Sequence, residues 1–194
     1  MTYRVPEPRS SALQPKLEGR RLSLVPITPA DYPYLHHLST TGENLMAWRL
    51  RGATPSPEIF AQQLWQSVLV QFKIVHGTPA QPLGLLAAYN ADMRNQLVFV
   101  AILLEPDAKK SGWVMEAPVL FIDYLFNTWP FRKIYMEAFE FNFAAINSGP
   151  GRIFQVEGCL LDYEYHDNKY WHKYIVSMGR DQWAEVARDI RPSG

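Results

Sequence analysis

The stretch EAFEFNFAAINSGPGRIFQVEG, Glu137 to Gly158, holds the residue types best suited to chemistry. Glu137 and Asn142 flank the point where a strand-like run passes into a helical one. A carboxylate on such a strand either takes a proton from a substrate or pairs with Arg132 or Lys133, and the sequence leaves both readings open. Glu140 is a weaker candidate for the same work. Asn142 is either a site residue or a helix N-cap, a role that asparagine fills well. The helix it opens is spoiled almost at once: Pro150 removes a backbone donor, and Gly149 and Gly151 lower helix propensity, so it can run only about two turns. Cys159, the single cysteine, shares one expected hairpin with His166 and His172. A thiol-nucleophile reading is therefore available, but a small buried hydrophobe is the plainer role. The five histidines show no metal-ligand spacing beside carboxylates.

The elements that must hold these residues can be read from periodicity. Residues 1–17 are rich in Pro, Ser and Arg and are expected to be a flexible arm, with one domain over 18–194. Arg21 to Ile27 alternates like a half-buried strand. Thr28-Pro29 and Ser56-Pro57 are helix starts, predicting helices over Pro29–Leu38 and Pro57–Ser67. The loop between them, Thr40 to Pro55, carries Trp48, Arg49 and Arg51 and is placed to border a pocket. Strands are expected over Leu69–Val75, Leu83–Tyr89 and Gln96–Glu105 as an antiparallel meander, followed by a polar, basic link. Gly112 then opens a helical stretch, apolar on nearly every face, in which Pro118 demands a kink or a late start. Lys133–Phe139 is a strand, Asn142–Ser148 the truncated helix, and Ile153–Tyr163 and Trp171–Met178 a hairpin across the HDNK turn. Tyr163, Tyr165, Tyr170, Trp171 and Tyr174 crowd that hairpin as expected cross-strand pairs. Asp181–Asp189 closes the chain as an amphipathic helix. The order describes an α+β fold with a mostly antiparallel mixed sheet of about seven strands and one βαβ crossover at its centre.

In two places the residues resemble the GNAT superfamily of acyl-CoA N-acyltransferases. Before its long helix that family shows Q/R-x-x-G-x-G/A, often continued by an aromatic residue, two others and Glu-Ala. Here DAKKSGWVMEA matches at Gly112, Trp113, Glu116 and Ala117, while Asp107 and Lys110 depart from it. After the next strand the family shows N-x-x-A-I-x-x-Y and G-F-x-x-E-G. Asn142, Ala145, Ile146, Phe154, Glu157 and Gly158 fill the corresponding places without a gap. The nearest branch is the one that acetylates the N-terminal amines of ribosomal proteins.

The resemblance implies a sheet splayed at its central strands, with acetyl-CoA or another acyl-CoA as co-substrate. It implies that Leu103, Leu104 and Glu105 offer backbone groups to pantetheine, and that Lys109, Lys110, Ser111, Gly112, Trp113 and Val114 meet the phosphates. Amides at a helix N-terminus suit that task, and the two lysines add charge; the plain alternative is a solvated Lys-Lys turn. The resemblance further implies that Glu137 is the base for the attacking amine and that Asn142 lies near the pantetheine. The tyrosine that in many relatives protonates the thiolate falls at Gly149, so that acid is missing, and Ser148 is the neighbouring hydroxyl. A shortened helix widens the entrance, which would suit a larger acyl group or an acyl-carrier protein as donor.

Composition sets the outer limits. Charge is balanced, with 19 basic and 19 acidic residues, so no polybasic surface is available for nucleic acid or an anionic membrane. No apolar run is long enough to span a bilayer, and the N-terminus lacks a signal-peptide core, which predicts a cytoplasmic protein. The expected function is acyl transfer from an acyl-CoA to a primary amine: a peptide N-terminus, lysine, aminoglycoside, polyamine or biosynthetic intermediate. The alternative is a catalytically weak module that binds acyl-CoA or an acyl carrier. A homodimer is a further expectation.

Overall fold

A computed structural model describes residues 16–147 and 154–190 of the chain. One mixed sheet of eight strands forms its centre. The strands are β1 (Leu17–Glu18), β2 (Leu22–Pro26), β3 (Val68–His76), β4 (Gln81–Asp92), β5 (Leu97–Leu104), β6 (Lys133–Phe139), β7 (Gln155–His166) and β8 (Lys169–Gly179). The helices are α1 (Tyr32–Thr40), α2 (Asn44–Ala47), α3 (Pro57–Gln63), α4 (Pro106–Lys109), α5 (Glu116–Thr128), α6 (Glu140–Asn147) and α7 (Arg180–Ile190). Spatial order across the sheet is β1-β2-β3-β4-β5-β6-β8-β7, and every pairing is antiparallel except β5 with β6. That parallel pair is joined through α5, the expected crossover.

Strand β4 is buried on both faces, and its alternation divides the core in two. Leu86 and Ala88 face one side, with Phe121, Ile122 and Leu125 of α5 and Trp183 of α7. Leu85 and Ala87 face the other, with Leu35 and Leu38 of α1, Phe60 of α3 and Leu64. Gly84 opposes Leu104 of β5, and a Cβ there would lie 2.2 Å from the carbonyl oxygen of Leu103.

Several elements differ from expectation for local reasons. The eighth strand is the two-residue β1, in which Leu17 pairs with Leu24; the rest of the expected arm, up to residue 15, lies outside the described residues. The Thr28 start forms a capping box with Asp31, whose carboxylate accepts from the Thr28 amide at 2.9 Å and hydroxyl at 3.0 Å. One 3-10 turn then precedes α1. Helix α3 stops at Gln63, and Ser67 turns the chain with a φ of 55°. Pro118 falls in the first turn of α5 because a 3-10 turn at Trp113–Met115 delays the helix to Glu116. The HDNK turn is a two-residue connection with Asp167 and Asn168 both at positive φ, the geometry that matches strand twist.

Candidate active site

The sheet opens at its centre. Pairing between β5 and β6 ends at Phe99 with Tyr135, while β5 stays paired to β4 as far as Leu104 with Gly84. Past Phe99 one edge of β5 therefore faces no strand. The Glu105 amide donates to Leu83 on β4 at 2.9 Å, so by antiparallel alternation Ala101 and Leu103 also turn their peptide groups toward β4. Val100, Ile102 and Leu104 turn theirs to the open edge. The carbonyl of Leu104 is already engaged there, accepting from Nδ2 of buried Asn44 in α2 at 3.0 Å.

Beside that edge lies a cleft of about 280 Å³, lined by Trp48, Arg49, Arg51, Tyr89, Asn90, Val100, Ala101, Glu137 and Phe139. The α2–α3 loop supplies the first three, as its position in the sequence led us to expect. Glu137 reaches the cleft from β6, and its ion-pair partner is neither Arg132 nor Lys133. Nζ of Lys173, a buried lysine on β8, lies 2.9 Å from Glu137 Oε1. Arg132 instead donates from Nε to the Asn95 carbonyl at 3.0 Å, and Lys133 pairs with Glu157 at 2.5 Å. The Lys173 ammonium also sits 4.0 Å from the Tyr163 ring centroid. Across the cleft, Arg51 Nη1 pairs with Glu164 at 3.0 Å, tying the loop to β7.

Tyr89 is a site residue that sequence reasoning passed over. Its ring packs 5.8 Å from Phe99, which continues to Tyr135 at 5.3 Å. Burial and the nearby Glu137 charge push its pKa up to about 12, so the phenol keeps its proton across the physiological range. The available signal was register alone: Tyr89 opposes Phe99, the last β5 residue paired to β6.

The expected phosphate loop is partly closed on itself. Lys109, Lys110 and Ser111 donate their amides to Glu105, Asp107 and Ala108 within a short helical turn. Among the described residues the amides of Gly112 and Val114 donate to none. Gly112 is exposed at φ 65°, Val114 is buried in the core, and half-buried Trp113 lies 4.8 Å from the His76 ring. Lys109 Nζ donates to Asn44 Oδ1 at 3.1 Å, while exposed Lys110 reaches Asp107 at 3.4 Å. Ser111 Oγ donates to the Ala108 carbonyl at 2.8 Å. Glu116 accepts from the Arg20 and Arg21 amides, bracing the turn before β2.

Asn142 is not an N-cap, because α6 starts at Glu140 directly after β6. It is exposed in the first turn of α6 and does not line the cleft. The helix is fixed by rings on either side: Phe141 meets Trp171 at 5.4 Å, and Phe143 stacks on Tyr174 at 4.2 Å. Ser148 and the Gly149-Pro150-Gly151 break lie outside the described residues. Cys159 is exposed on β7, not buried. No group of acidic, histidine or cysteine side chains among the described residues could hold a metal ion.

A mixed sheet parted between its parallel central strands, with helices on both faces and a glycine turn leading into α5, is the GNAT fold. Solved structures share this fold. The chain superposes on spermidine N-acetyltransferase SpeG from Vibrio cholerae, in complex with CoA and spermine, with a TM-score of 0.73 at 16% identity, over 86% of this chain and 99% of that one. The SpeG structure with manganese ions gives a TM-score of 0.69 at 16% identity, over 87% and 96%. No protein-family model matches the sequence, and no curated protein matches it either. At this identity what the chains share is the fold.

Proposed function

We propose that this protein is an N-acyltransferase, moving an acyl group, acetyl in the simplest case, from coenzyme A to a primary amine by direct attack. One observation carries the reading: the open edge of β5, with peptide groups of Val100 and Ile102 turned outward, runs alongside a cleft that contains Glu137. An extended pantetheine amide chain can pair with such an edge as an added strand would. The amides of Gly112 and Val114 at the approach to α5, with the exposed Lys110 ammonium, suit the diphosphate. SpeG, a structural neighbour, is named for a polyamine acceptor and has been seen with CoA, which favours a primary amine here too. The likeness of Glu137 to Gly158 to the N-terminal acetylating branch supports a peptide α-amine among the candidates.

In the proposed reaction Glu137 takes a proton from the ammonium form of the acceptor, because only the neutral amine has a lone pair to attack the thioester carbonyl. The C–N bond forms, the C–S bond breaks, and the departing thiolate takes a proton from a donor that is restored by the second proton the nitrogen gives up as the intermediate collapses. Tyr89, held protonated in the same cleft, is the donor we assign, in preference to Ser148. Asn142, exposed on α6, is left a polar contact to the outer pantetheine. An acyl-carrier protein presents its thioester on the same phosphopantetheine arm, so it belongs in the donor screen with acetyl-CoA and longer acyl-CoAs.

A second reading, binding without efficient turnover, draws on Asn44, which occupies the Leu104 carbonyl at the open edge. Thermal stabilisation by coenzyme A, followed by amine-dependent thiol release from acetyl-CoA, tests both readings. Amine-stimulated release that Glu137→Gln lowers about a hundredfold supports the transferase. Stabilisation with no release from any donor and amine favours the binding module, and the absence of stabilisation removes both.

A further inference from the structure

The charges around the cleft select among amines. Among the described residues three charged side chains line it, Arg49, Arg51 and Glu137. Glu137 is met by Lys173 at 2.9 Å and Arg51 by Glu164 at 3.0 Å, so these two cancel locally. Arg49 is different. Its Nη2 donates to the Gln66 carbonyl at 2.6 Å and its guanidinium lies 5.9 Å from the Tyr89 ring centroid, but among the described residues it has no carboxylate partner. Tyr89 stays neutral and cannot supply the missing charge. The wall therefore carries one uncompensated positive charge, presented as a planar fork of donors suited to a carboxylate or phosphate. Arg49 also borders a second cleft of about 230 Å³, lined by Trp48, Leu50, Phe60, Gln63, Leu64 and Gln66, which gives the body of a ligand room beside the cation.

We infer that the acceptor is a primary amine that also carries a carboxylate or phosphate group, bound through Arg49, and that the cleft disfavours polyamines. The inference rests on the transferase reading and specifies its acceptor. A polycation needs unpaired carboxylates to replace its hydration, and among the described residues this cleft offers only Glu137, already joined to a buried ammonium. An anionic amine instead brings the counter-ion Arg49 lacks, while its ammonium is directed to Glu137.

The test is a matched series of primary amines of one chain length, ending in a carboxylate, a phosphonate, a neutral amide or a second ammonium, each acetylated from acetyl-CoA. The carboxylate or phosphonate should exceed the amide in kcat/KM by about tenfold or more, with the diamine lowest. Arg49→Gln should bring the ratio of carboxylate to amide close to one, whereas Arg49→Lys, which keeps the charge, should retain a preference. A diamine equal to or better than the carboxylate overturns the inference while leaving the transferase standing. If no amine is turned over, equilibrium binding of the same four compounds to the CoA-saturated protein decides. Tightest binding of the carboxylate, weakened by Arg49→Gln, supports the inference, and equal binding overturns it. A protein that fails to bind coenzyme A defeats the transferase reading instead.

Discussion

Glu137 of β6 and Lys173 of β8 lie on one face of the sheet, Lys173 two residues before the Ile175 that opposes Glu137, with Nζ and Oε1 separated by 2.9 Å. The lysine is almost wholly buried and the glutamate about one-third exposed at the cleft. The pair uses only Oε1, and Glu137 Oε2 bonds to none of the described residues. Lys173 thus holds the carboxylate in place from behind.

Lys173→Met tests that role. Without the ammonium the carboxylate loses the partner that fixes its position, so kcat/KM for the amine should fall about tenfold. Removing one partner of a pair buried on one side should cost about 2 kcal/mol in urea unfolding. An unchanged kcat/KM would show that Glu137 needs no support from Lys173 in catalysis.

Tyr89→Phe removes the proposed proton donor and keeps the ring that packs on Phe99. A thiol is a fairly good leaving group, so kcat should fall only about tenfold, at the low end of general-acid effects, with the donor KM unchanged. Steady-state kinetics with acetyl-CoA check this; an unchanged kcat assigns the proton to another group.

How much of this site was visible in the sequence follows from how far apart its members lie. Lys133–Phe139 has its expected bounds because seven residues of clear strand pattern lie between a turn and a helix start. Trp48, Arg49 and Arg51 were placed near a pocket because a loop between two helix starts has few other places to go. Helices α2 and α4 were missed: four residues are too few for a period of 3.6 to show. Tyr89 and Lys173 were missed for another reason. They reach Glu137 only through cross-strand register, which a one-dimensional pattern does not contain.

Gly84→Ala should be among the most damaging small changes in the protein. The added Cβ would lie 2.2 Å from the Leu103 carbonyl oxygen and 3.0 Å from the Leu104 Cα, both backbone atoms that cannot turn aside. Relief requires β4 and β5 to part at the end where β5 is already open on its other edge. A loss of about 3 kcal/mol or more is expected by urea unfolding, together with weakened coenzyme A binding.

Arg180 should matter to stability far more than a half-exposed arginine usually does. Its Nε, Nη1 and Nη2 donate to the carbonyls of Phe131, Phe126 and Trp129 at 2.7, 2.6 and 2.7 Å. These carbonyls close the end of α5 and the turn into β6, and the positive charge also suits the negative end of the helix dipole. Arg180→Met keeps the stem and strands three acceptors, so about 2 to 3 kcal/mol should be lost in thermal or urea unfolding. Arg180→Lys, with one ammonium for three carbonyls, should recover only part of it.

Glu157 gives the fold a defined response to acid. Hydrogen bonds from Lys133, Ser177 and Tyr135 hold its carboxylate at a pKa of about 2, well below the ordinary 4.5. A depressed carboxylate stabilises the folded state above its unfolded pKa, and that contribution is lost as pH falls through the folded value. The stabilisation should therefore be complete at neutral pH and fade between about pH 4.5 and pH 2. The site is partly open to solvent, which screens the pair, so Glu157→Gln should cost only about 1 kcal/mol at pH 7. Urea unfolding of both proteins across that interval should show the two curves converging toward the acid end. A gap that stays constant down to pH 2 would mean that packing, and not the charge on Glu157, joins β7 to β6 across β8.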